Sequence, residues 1–348
     1  MGIAPTLIEP GGATIEGDVG TVARLNLHLA CASSVLVTLG AFRATALGEL
    51  ERKAAQLDWS PFLRPGQAVS FRVTTRKSRL YHTGAVAERL TRAAGGVAAE
   101  VEAPGEEQDA QRFVVRIVRD SVTIRADSTG EHLHRRGYRL QTGRAPLRET
   151  LAAGVLRLAA WDPHTPLVDP MCGSGTFVIE AALRACRRAP GDHRSFSFQR
   201  WPGYDPEAWM RLRAEALRSI RPAPSPLVGS DRDAGAIAAS NENAERAGIA
   251  GSVAFLERSI SEATAPSSDT HGLLVSNPPW GRRVGNAGAL RDLYARLGQV
   301  ARRHFAGWAL AVVSPEPSLV RQLDRRAESI TSIPTGGVSV GIWRVDRL

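Results

Sequence analysis

The side chains best suited to chemistry lie in Asn277–Trp280, which follows the apolar run Gly272–Ser276. A polar side chain at the carboxyl end of a buried strand lies where open α/β sheets bind ligands. The two prolines remove two N–H donors, so carbonyl oxygens and the Asn277 amide oxygen remain as acceptors beside an aromatic ring. This arrangement predicts a pocket for a flat ring that carries an NH₂ group. Taken alone, the stretch is also typical of a plain strand end with Trp280 packed in the core.

A second motif, Leu167–Leu183, predicts a short apolar strand, a turn built on Gly173 and Gly175, and a helix. Such a turn lets a ligand approach the backbone, and the helix N-terminus offers free N–H groups. The spacing matches neither the dinucleotide fingerprint nor a phosphate loop, so neither NAD nor ATP is favoured. Asp169 at the strand tip suits a ligand with a positive end, such as the amino acid part of S-adenosylmethionine. An ordinary strand–helix turn is the alternative interpretation.

A third segment, Leu227–Asp233, again predicts a short strand that ends in a carboxylate. An acid at the tip of the second strand of a nucleotide-binding unit accepts hydrogen bonds from ribose hydroxyls, so Asp231 is predicted to bind a ribose. Asp231 follows Asp169 at far more than the roughly 20 residues of a plain βαβ unit, which indicates an insertion. Residues 187–226, rich in proline and glycine, are predicted to form it.

The order of these motifs resembles class I S-adenosylmethionine-dependent RNA methyltransferases with an N-terminal THUMP domain, closest to bacterial 23S rRNA guanine-N2 methyltransferases. The resemblance covers nearly the whole chain. It rests on Asp169–Thr176, Gly229–Asp231, Asn241–Gly248 and Asn277–Gly281, and in the N-terminal half on Arg76–Arg89 and Gly130–Tyr138.

The resemblance implies an α/β fold with two domains. Residues 141–348 would form a Rossmann-like, doubly wound methyltransferase domain with the insertion at about 187–226. Residues 1–140 would form an α+β ferredoxin-like and THUMP module that binds structured RNA. The implied activity is methylation of the exocyclic N2 of a guanine in 23S rRNA, a step of rRNA processing. The alternatives are a tRNA guanine-N2 methyltransferase, a DNA adenine-N6 methyltransferase and a non-catalytic RNA-binding assembly factor.

Three groups of residues are implied to carry this function. The target base would leave its stack, place its amine against hydrogen-bond acceptors and stack on the aromatic ring of Trp280. The catalytic group is Asn277, Pro278 and Trp280; the cofactor group is Asp169, Gly173, Gly175, Thr176, Asp231 and Ser259; and the RNA-binding group is Arg76, Lys77, Arg79, Tyr81 and His82.

The chain departs from the family pattern at three places. Arg258 and Ser259 stand where the family has an acid that contacts adenine, and Arg282 stands where the family commonly has Glu. The family also has an extra strand and helix before the segment that resembles Gly11–Asp18, so Met1 is expected to be an internal or misassigned start.

Composition agrees with a nucleic-acid partner. The chain has 44 basic and 35 acidic residues among 348, with a pI near 10.4, which favours an anionic partner. Three scattered cysteines predict neither a disulfide framework nor a zinc site. The sequence predicts a cytoplasmic protein without a membrane span or a metal, and it leaves the oligomeric state open.

Overall fold

The computed structural model describes residues 2–9, 11–98, 110–139, 147–266, 271–280, 287–335 and 337–348. The chain divides into two compact units. The first comprises Met1–Leu133 and Arg194–Ala214, and the second comprises His134–His193 and Glu215–Leu348. The domain border predicted between residues 140 and 141 falls within 140–146, outside the described residues, and both domain limits stay predictions.

The first unit is an α+β structure built on a five-stranded sheet. A hairpin of β1 (Leu7–Glu9) and β2 (Gly12–Thr14) comes first, followed by the helix α1 (Val19–His28). The sheet has the order β3-β7-β6-β4-β5, and two helices, α2 and α3, come between its strands along the chain. Their bounds are β3 Leu36–Arg43, α2 Leu47–Ala54, β4 Ala68–Arg76, α3 Thr83–Ala93, β5 Val97–Ala98, β6 Gln111–Val118 and β7 Ser121–Asp127.

One face of this sheet forms the core of the first unit because apolar residues alternate along its strands. Phe113, Val115 and Ile117 of β6 are fully buried, while Arg116 between them is exposed. The hairpin that the sequence predicts for β6 and β7 is confirmed, since the two strands pair antiparallel across Arg119-Asp120.

The segment Arg194–Ala214 packs within the first unit although it lies far along the chain. The indole Nε1 of Trp201 donates to Gln111 Oε1 at 2.8 Å, and its ring meets the Phe62 ring edge to face at 4.9 Å between centroids. Phe196 and Phe198 both contact the Trp209 ring. This aromatic packing anchors the segment, which a sequence-based reading places simply as an insertion.

The second unit contains a seven-stranded sheet of order β10-β9-β8-β11-β12-β14-β13. The strands are β8 Leu167–Asp169, β9 Leu227–Asp231, β10 Ala254–Glu257, β11 Leu273–Ser276, β12 Ala309–Ser314, β13 Glu328–Thr335 and β14 Val338–Val345. The first five run parallel, and β14 lies antiparallel between β12 and β13. The strand order reverses between β8 and β11, so the ligand crevice of a doubly wound sheet is expected there.

Helices cover both faces of this sheet. They are α4 Glu149–Leu158, α5 Thr176–Ala185, α7 Ala234–Arg246, α8 Ala287–His304 and α9 Pro317–Leu323. The helix α6 (Pro206–Arg218) lies mostly in the segment that belongs to the first unit. Residues of α4, α5 and α7 pack in one buried cluster, and residues of α8 and α9 pack in another. The predicted α/β fold with a doubly wound domain is confirmed, whereas the ferredoxin-like and THUMP identity of the N-terminal module stays a prediction. No helix in the described part of the chain is long and apolar enough to cross a bilayer.

Candidate cofactor and substrate site

The glycine turn follows β8 and leads directly into α5. Gly173 and Gly175 have φ angles of +52° and +81°, in the left-handed region that glycine adopts most easily. A Cβ on Gly175 would lie 2.9 Å from the Phe255 ring, and a Cβ on Gly229 would lie 2.6 Å from the same ring. The Phe255 ring thus fills the space that side chains would need, which holds the turn against β9 and β10.

Two side chains of α7 hold the carbonyl groups of this turn. Ser240 Oγ donates to Gly173 O at 2.8 Å, and Asn243 Nδ2 donates to Ser174 O at 3.1 Å. Sequence reasoning identified the helix but missed both roles. The only signal is their i, i+3 spacing, which places the two polar side chains on one helix face.

Asp231 lies at the tip of β9, where the sequence places it, and contacts the glycine turn. Its Oδ2 accepts a hydrogen bond from Gly173 N–H at 3.0 Å, and its Oδ1 accepts one from Asp233 N–H at 3.1 Å. A carboxylate has about four acceptor positions, so two of them remain for a ligand hydroxyl. The structure therefore brings together two predicted cofactor residues, Asp231 and Gly173.

Asp169 is a buried carboxyl group at the tip of β8, with 2% of its surface exposed. Its pKa is raised from 3.8 to about 7, mainly by burial and to a smaller extent by the nearby charge of Asp231, while a hydrogen bond from the Met171 N–H and the nearby Ser276 hydroxyl lower it. Among the described residues no cation forms a salt bridge with Asp169. Because a buried charge needs a partner, this position suits a ligand with a cationic group.

Thr176 and Ser259, two further predicted cofactor residues, have hydroxyl groups engaged within the protein. Thr176 Oγ1 accepts a hydrogen bond from the guanidinium of Arg139. Ser259 caps the short 3₁₀ helix Ile260–Glu262, and its hydroxyl and N–H both donate to Glu262 Oε2 at 2.8 Å. Any contact of Thr176 with the cofactor would use its backbone N–H at the start of α5. The assignment of Thr176 and Ser259 to cofactor binding stays a prediction.

The Asn277–Trp280 stretch follows β11, and β11 pairs with β8, so Asn277 lies at the same sheet edge as Asp169. The Asn277 Oδ1 atom is buried and has no hydrogen-bond partner among the described residues. Trp280 is half-buried beside the core, and its Nε1 donates to Val313 O at 3.1 Å. The indole is thus fixed in orientation, and the amide oxygen three residues before it lacks a donor in the described part of the chain.

The predicted RNA-binding residues form an exposed corner of the first unit. Arg76, Lys77, Arg79, Tyr81 and His82 are all exposed. Lys77 adopts a φ of +50°, and Asp120 stabilises the corner by accepting hydrogen bonds from Ser78 Oγ and from the Arg79 N–H. The Tyr81 and His82 rings lie 4.1 Å apart between centroids. Their role in RNA binding stays a prediction.

The second-unit site fits an adenosyl cofactor with a charged amino acid end. Among the described residues it combines a buried carboxyl at Asp169 that forms no salt bridge, spare acceptor positions on Asp231 and an amide oxygen at Asn277 without a donor. In the described part of the chain, no group of His, Cys, Asp and Glu side chains could hold a metal ion.

A doubly wound domain with an acid at the tips of β8 and β9 and an Asn-Pro-Pro stretch after β11 defines a class I methyltransferase. The chain belongs to the UPF0020 family. The model of this family, described as an RMKL-like methyltransferase domain, matches residues 136–341. It is an S-adenosylmethionine-dependent methyltransferase.

Individual proteins share this similarity over nearly the full chain. The protein slr0064 of Synechocystis sp., named as a candidate RNA methyltransferase, is 32% identical over 95% of this chain and 87% of its own length. A predicted N6-adenine-specific DNA methylase from Listeria monocytogenes is 30% identical, with a TM-score of 0.85 over 98% of this chain and 90% of that chain. SMU.472, a candidate methyltransferase complexed with SAH, is 27% identical, with a TM-score of 0.86 over 100% of this chain and 92% of that chain.

The raised pKa of Asp169, together with its predicted role in cofactor binding, predicts that cofactor affinity depends on pH. In the free protein the carboxyl is largely protonated below pH 7, because its pKa rises from 3.8 to about 7. A cationic ligand prefers the ionised form, so we expect affinity for S-adenosylmethionine to increase with pH up to about 7 and to level off above it. Calorimetry between pH 5.5 and 8.5 measures this dependence.

The matched variant is Asp169→Asn, which keeps the shape of the side chain without its titration. Its affinity should be lower and nearly constant over the same pH range. S-adenosylhomocysteine shares the amino acid end but lacks the sulfonium, and it should show the same pH dependence as the methylated cofactor. A pH profile that is unchanged in Asp169→Asn would remove Asp169 from the site.

Proposed function

We propose that this enzyme methylates the exocyclic N2 of a guanine in RNA, with 23S rRNA as the substrate. The observation that carries the proposal is the buried Asn277 Oδ1, which has no partner in the described part of the chain and lies at the sheet edge where the predicted cofactor residues Asp169 and Asp231 also lie. An exocyclic NH₂ group would supply the missing donor. The 32% identity with slr0064, a candidate RNA methyltransferase, supports RNA as the substrate.

The cofactor would be held by Asp169, the Gly173–Thr176 turn and Asp231. S-adenosylmethionine supplies a methyl group on an activated sulfonium leaving group, so the protein contributes mainly orientation and a matched electrostatic environment. Asn277 Oδ1 and the Pro278 carbonyl oxygen would each accept a hydrogen bond from one N–H group of the amine, which would orient its nitrogen.

Trp280 would provide a stacking surface for the flipped base. Its Nε1 bond to Val313 O fixes the plane of the ring before the base arrives, which reduces the ordering that binding requires. Extrusion of a base from a stack costs a few kcal/mol, and stacking on an aromatic ring returns roughly 1–3 kcal/mol.

The exposed corner formed by Arg76, Lys77, Arg79, Tyr81 and His82 would bind RNA outside the catalytic domain. Its three basic side chains suit phosphate groups, and the adjacent rings suit a base.

A DNA adenine-N6 methyltransferase is the second candidate, because the Listeria relative is named as such and an Asn-Pro-Pro-aromatic stretch accepts any planar NH₂ group.

Methyl transfer to defined nucleic acids tests the proposal. The full-length protein is incubated with S-adenosylmethionine carrying a labelled methyl group and, in parallel, with unmodified 23S rRNA, tRNA and double-stranded DNA. The nucleosides are then separated after complete digestion. We expect label in N2-methylguanosine from 23S rRNA. Label in N6-methyladenine from DNA would establish the second candidate instead, and label in tRNA alone would change the substrate.

A further inference from the structure

The outward face of the five-stranded sheet in the first unit is rich in arginine. The sheet register places side chains of β3, β4, β6 and β7 directly opposite one another on this face. Its arginines are Arg43, Arg72, Arg76, Arg112, Arg116 and Arg125.

The register defines successive rows across the sheet. In one row Arg72 of β4 and Arg125 of β7 lie on either side of Val114. In the next row Arg116 of β6 lies between two threonines, Thr74 and Thr123. Positive charges therefore alternate with small or hydroxyl-bearing side chains rather than crowding on neighbouring positions.

Four of these arginines, which we call the arginine face, lack an acidic partner: Arg72, Arg76, Arg116 and Arg125. In the described residues no carboxylate lies within salt-bridge distance of these guanidinium groups, whereas Arg43 and Arg112 lie near Asp120 and Asp127. Arg72, Arg76 and Arg116 are exposed, and Arg125 is half-buried.

Three basic side chains on the helices α2 and α3 of the same unit are paired with acids. Lys53 pairs with Glu49, Arg89 with Glu51, and Arg92 with Glu88. The four residues of the arginine face differ from these three, because they have no carboxylate partner among the described residues.

We propose that the arginine face binds the sugar–phosphate backbone of the RNA substrate without reading its bases. The charge requires an anionic partner, and a series of unpaired guanidinium groups on a flat sheet suits a series of phosphates. The aromatic residues of these strands, Phe42, Phe71 and Phe113, align with the opposite face, so the described strands place no phenyl ring on the arginine face for a base to stack on. Backbone contact without stacking gives binding that is independent of sequence.

This inference rests on the proposed function, since it extends the RNA contact surface from the Arg76–His82 corner, which shares Arg76 with the arginine face, across the sheet. A binding experiment without cofactor separates the two, because an error in the target base leaves backbone binding unchanged. The probe is a fluorescent 20-base-pair RNA duplex of arbitrary sequence, and its affinity for the full-length protein is measured over a range of salt concentrations.

The test variant is Arg116→Gln/Arg125→Gln, which leaves the Arg76–His82 corner intact. Two lost phosphate contacts should lower the slope of log affinity against log salt by about 1.8 and weaken binding by at least about tenfold at 0.1 M salt. A second duplex of unrelated sequence should lose the same factor, and S-adenosylmethionine affinity should not change.

The matched control is Arg52→Gln/Arg92→Gln, which removes the same charge from exposed positions of α2 and α3. It should keep the wild-type slope. An equal loss of RNA affinity in both double variants would show that only net charge matters, and it would overturn the proposal. A loss of affinity for only one of the two RNA sequences would overturn it as well. The pair Arg116→Lys/Arg125→Lys keeps the charge and should retain the slope; loss of the slope in the lysine pair would also overturn it.

Discussion

Replacement of Asn277 by alanine should slow methyl transfer in a single turnover by about 100- to 1,000-fold, the effect typical of removing one preorganised hydrogen-bonding group. The amide oxygen would hold the target amine in line with the methyl carbon, and alanine cannot. RNA and cofactor affinities should stay close to wild type, because the lost interaction serves the transition state. Rapid-quench kinetics with enzyme in excess over RNA measures the rate directly.

The same substitution should leave the protein at least as stable as wild type. Asn277 Oδ1 is buried and has no partner among the residues that the structure describes, and an unsatisfied buried acceptor costs roughly 1–3 kcal/mol. Alanine removes that acceptor, which offsets the packing lost with the side chain. A thermal unfolding midpoint that is unchanged or raised, together with a slow reaction, would indicate a group kept for function rather than for folding.

Trp280 supplies the comparison for Asn277, because its proposed role concerns capture of the base rather than the chemical step. Trp280→Ala should mainly weaken binding of the target RNA, by the roughly 1–3 kcal/mol of one stacked base. Trp280→Phe should recover most of the affinity because it keeps an aromatic ring, although it loses the hydrogen bond from Nε1 to Val313 O.

A folded Asn277→Ala enzyme with the wild-type single-turnover rate would contradict the mechanism.

Replacement of Asp231 by alanine should weaken S-adenosylmethionine binding by about 10- to 150-fold, which corresponds to roughly 1.5–3 kcal/mol for a hydrogen bond to a charged group. The ribose hydroxyls would lose their acceptor. The Gly173 N–H would also lose the carboxylate oxygen that now lies 3.0 Å away. Both effects lower affinity, and calorimetry measures their sum.

A thermodynamic cycle separates ribose contact from loosening of the turn. An S-adenosylhomocysteine analogue without the two ribose hydroxyls should bind the wild-type protein more weakly than S-adenosylhomocysteine does. The Asp231→Ala variant should bind the analogue and S-adenosylhomocysteine with equal affinity. The control is Asp233→Ala, which removes the cap of α7 and should lower stability by about 1 kcal/mol with little change in affinity. If the analogue loses the same affinity in both proteins, Asp231 does not contact the ribose.

The strand tips could be predicted from the sequence because each follows a short apolar run. Asp169, Asp231 and Asn277 all lie at the carboxyl ends of neighbouring strands, where the pattern placed them. The supporting contacts could not be predicted. Ser240 and Asn243 meet the glycine turn about 70 residues away in sequence, and only tertiary packing brings α7 to β8.

The hydroxyl-bearing candidates show a different limit of sequence reasoning. A serine or threonine beside a ligand loop can bind the ligand or a neighbouring protein group, and its residue type does not distinguish the two. Thr176 accepts a hydrogen bond from Arg139, and Ser259 caps a short helix. Arg139 carries no sequence signal that links it to Thr176, whereas the Ser-x-x-Glu spacing of Ser259 and Glu262 is the capping-box pattern and could have indicated this bond.

The packing of Arg194–Ala214 in the first unit constrains the order in which the nascent chain can fold. The ribosome completes the five strands of the first sheet by Asp127, but the partner of Gln111 and Phe62 is Trp201, which emerges much later. At about 5–20 residues per second, synthesis from residue 134 to residue 214 takes about 4–16 s. During that interval the part of the Phe62 ring that Trp201 covers stays exposed on the first unit, and we expect this apolar surface to be of the kind that chaperones bind.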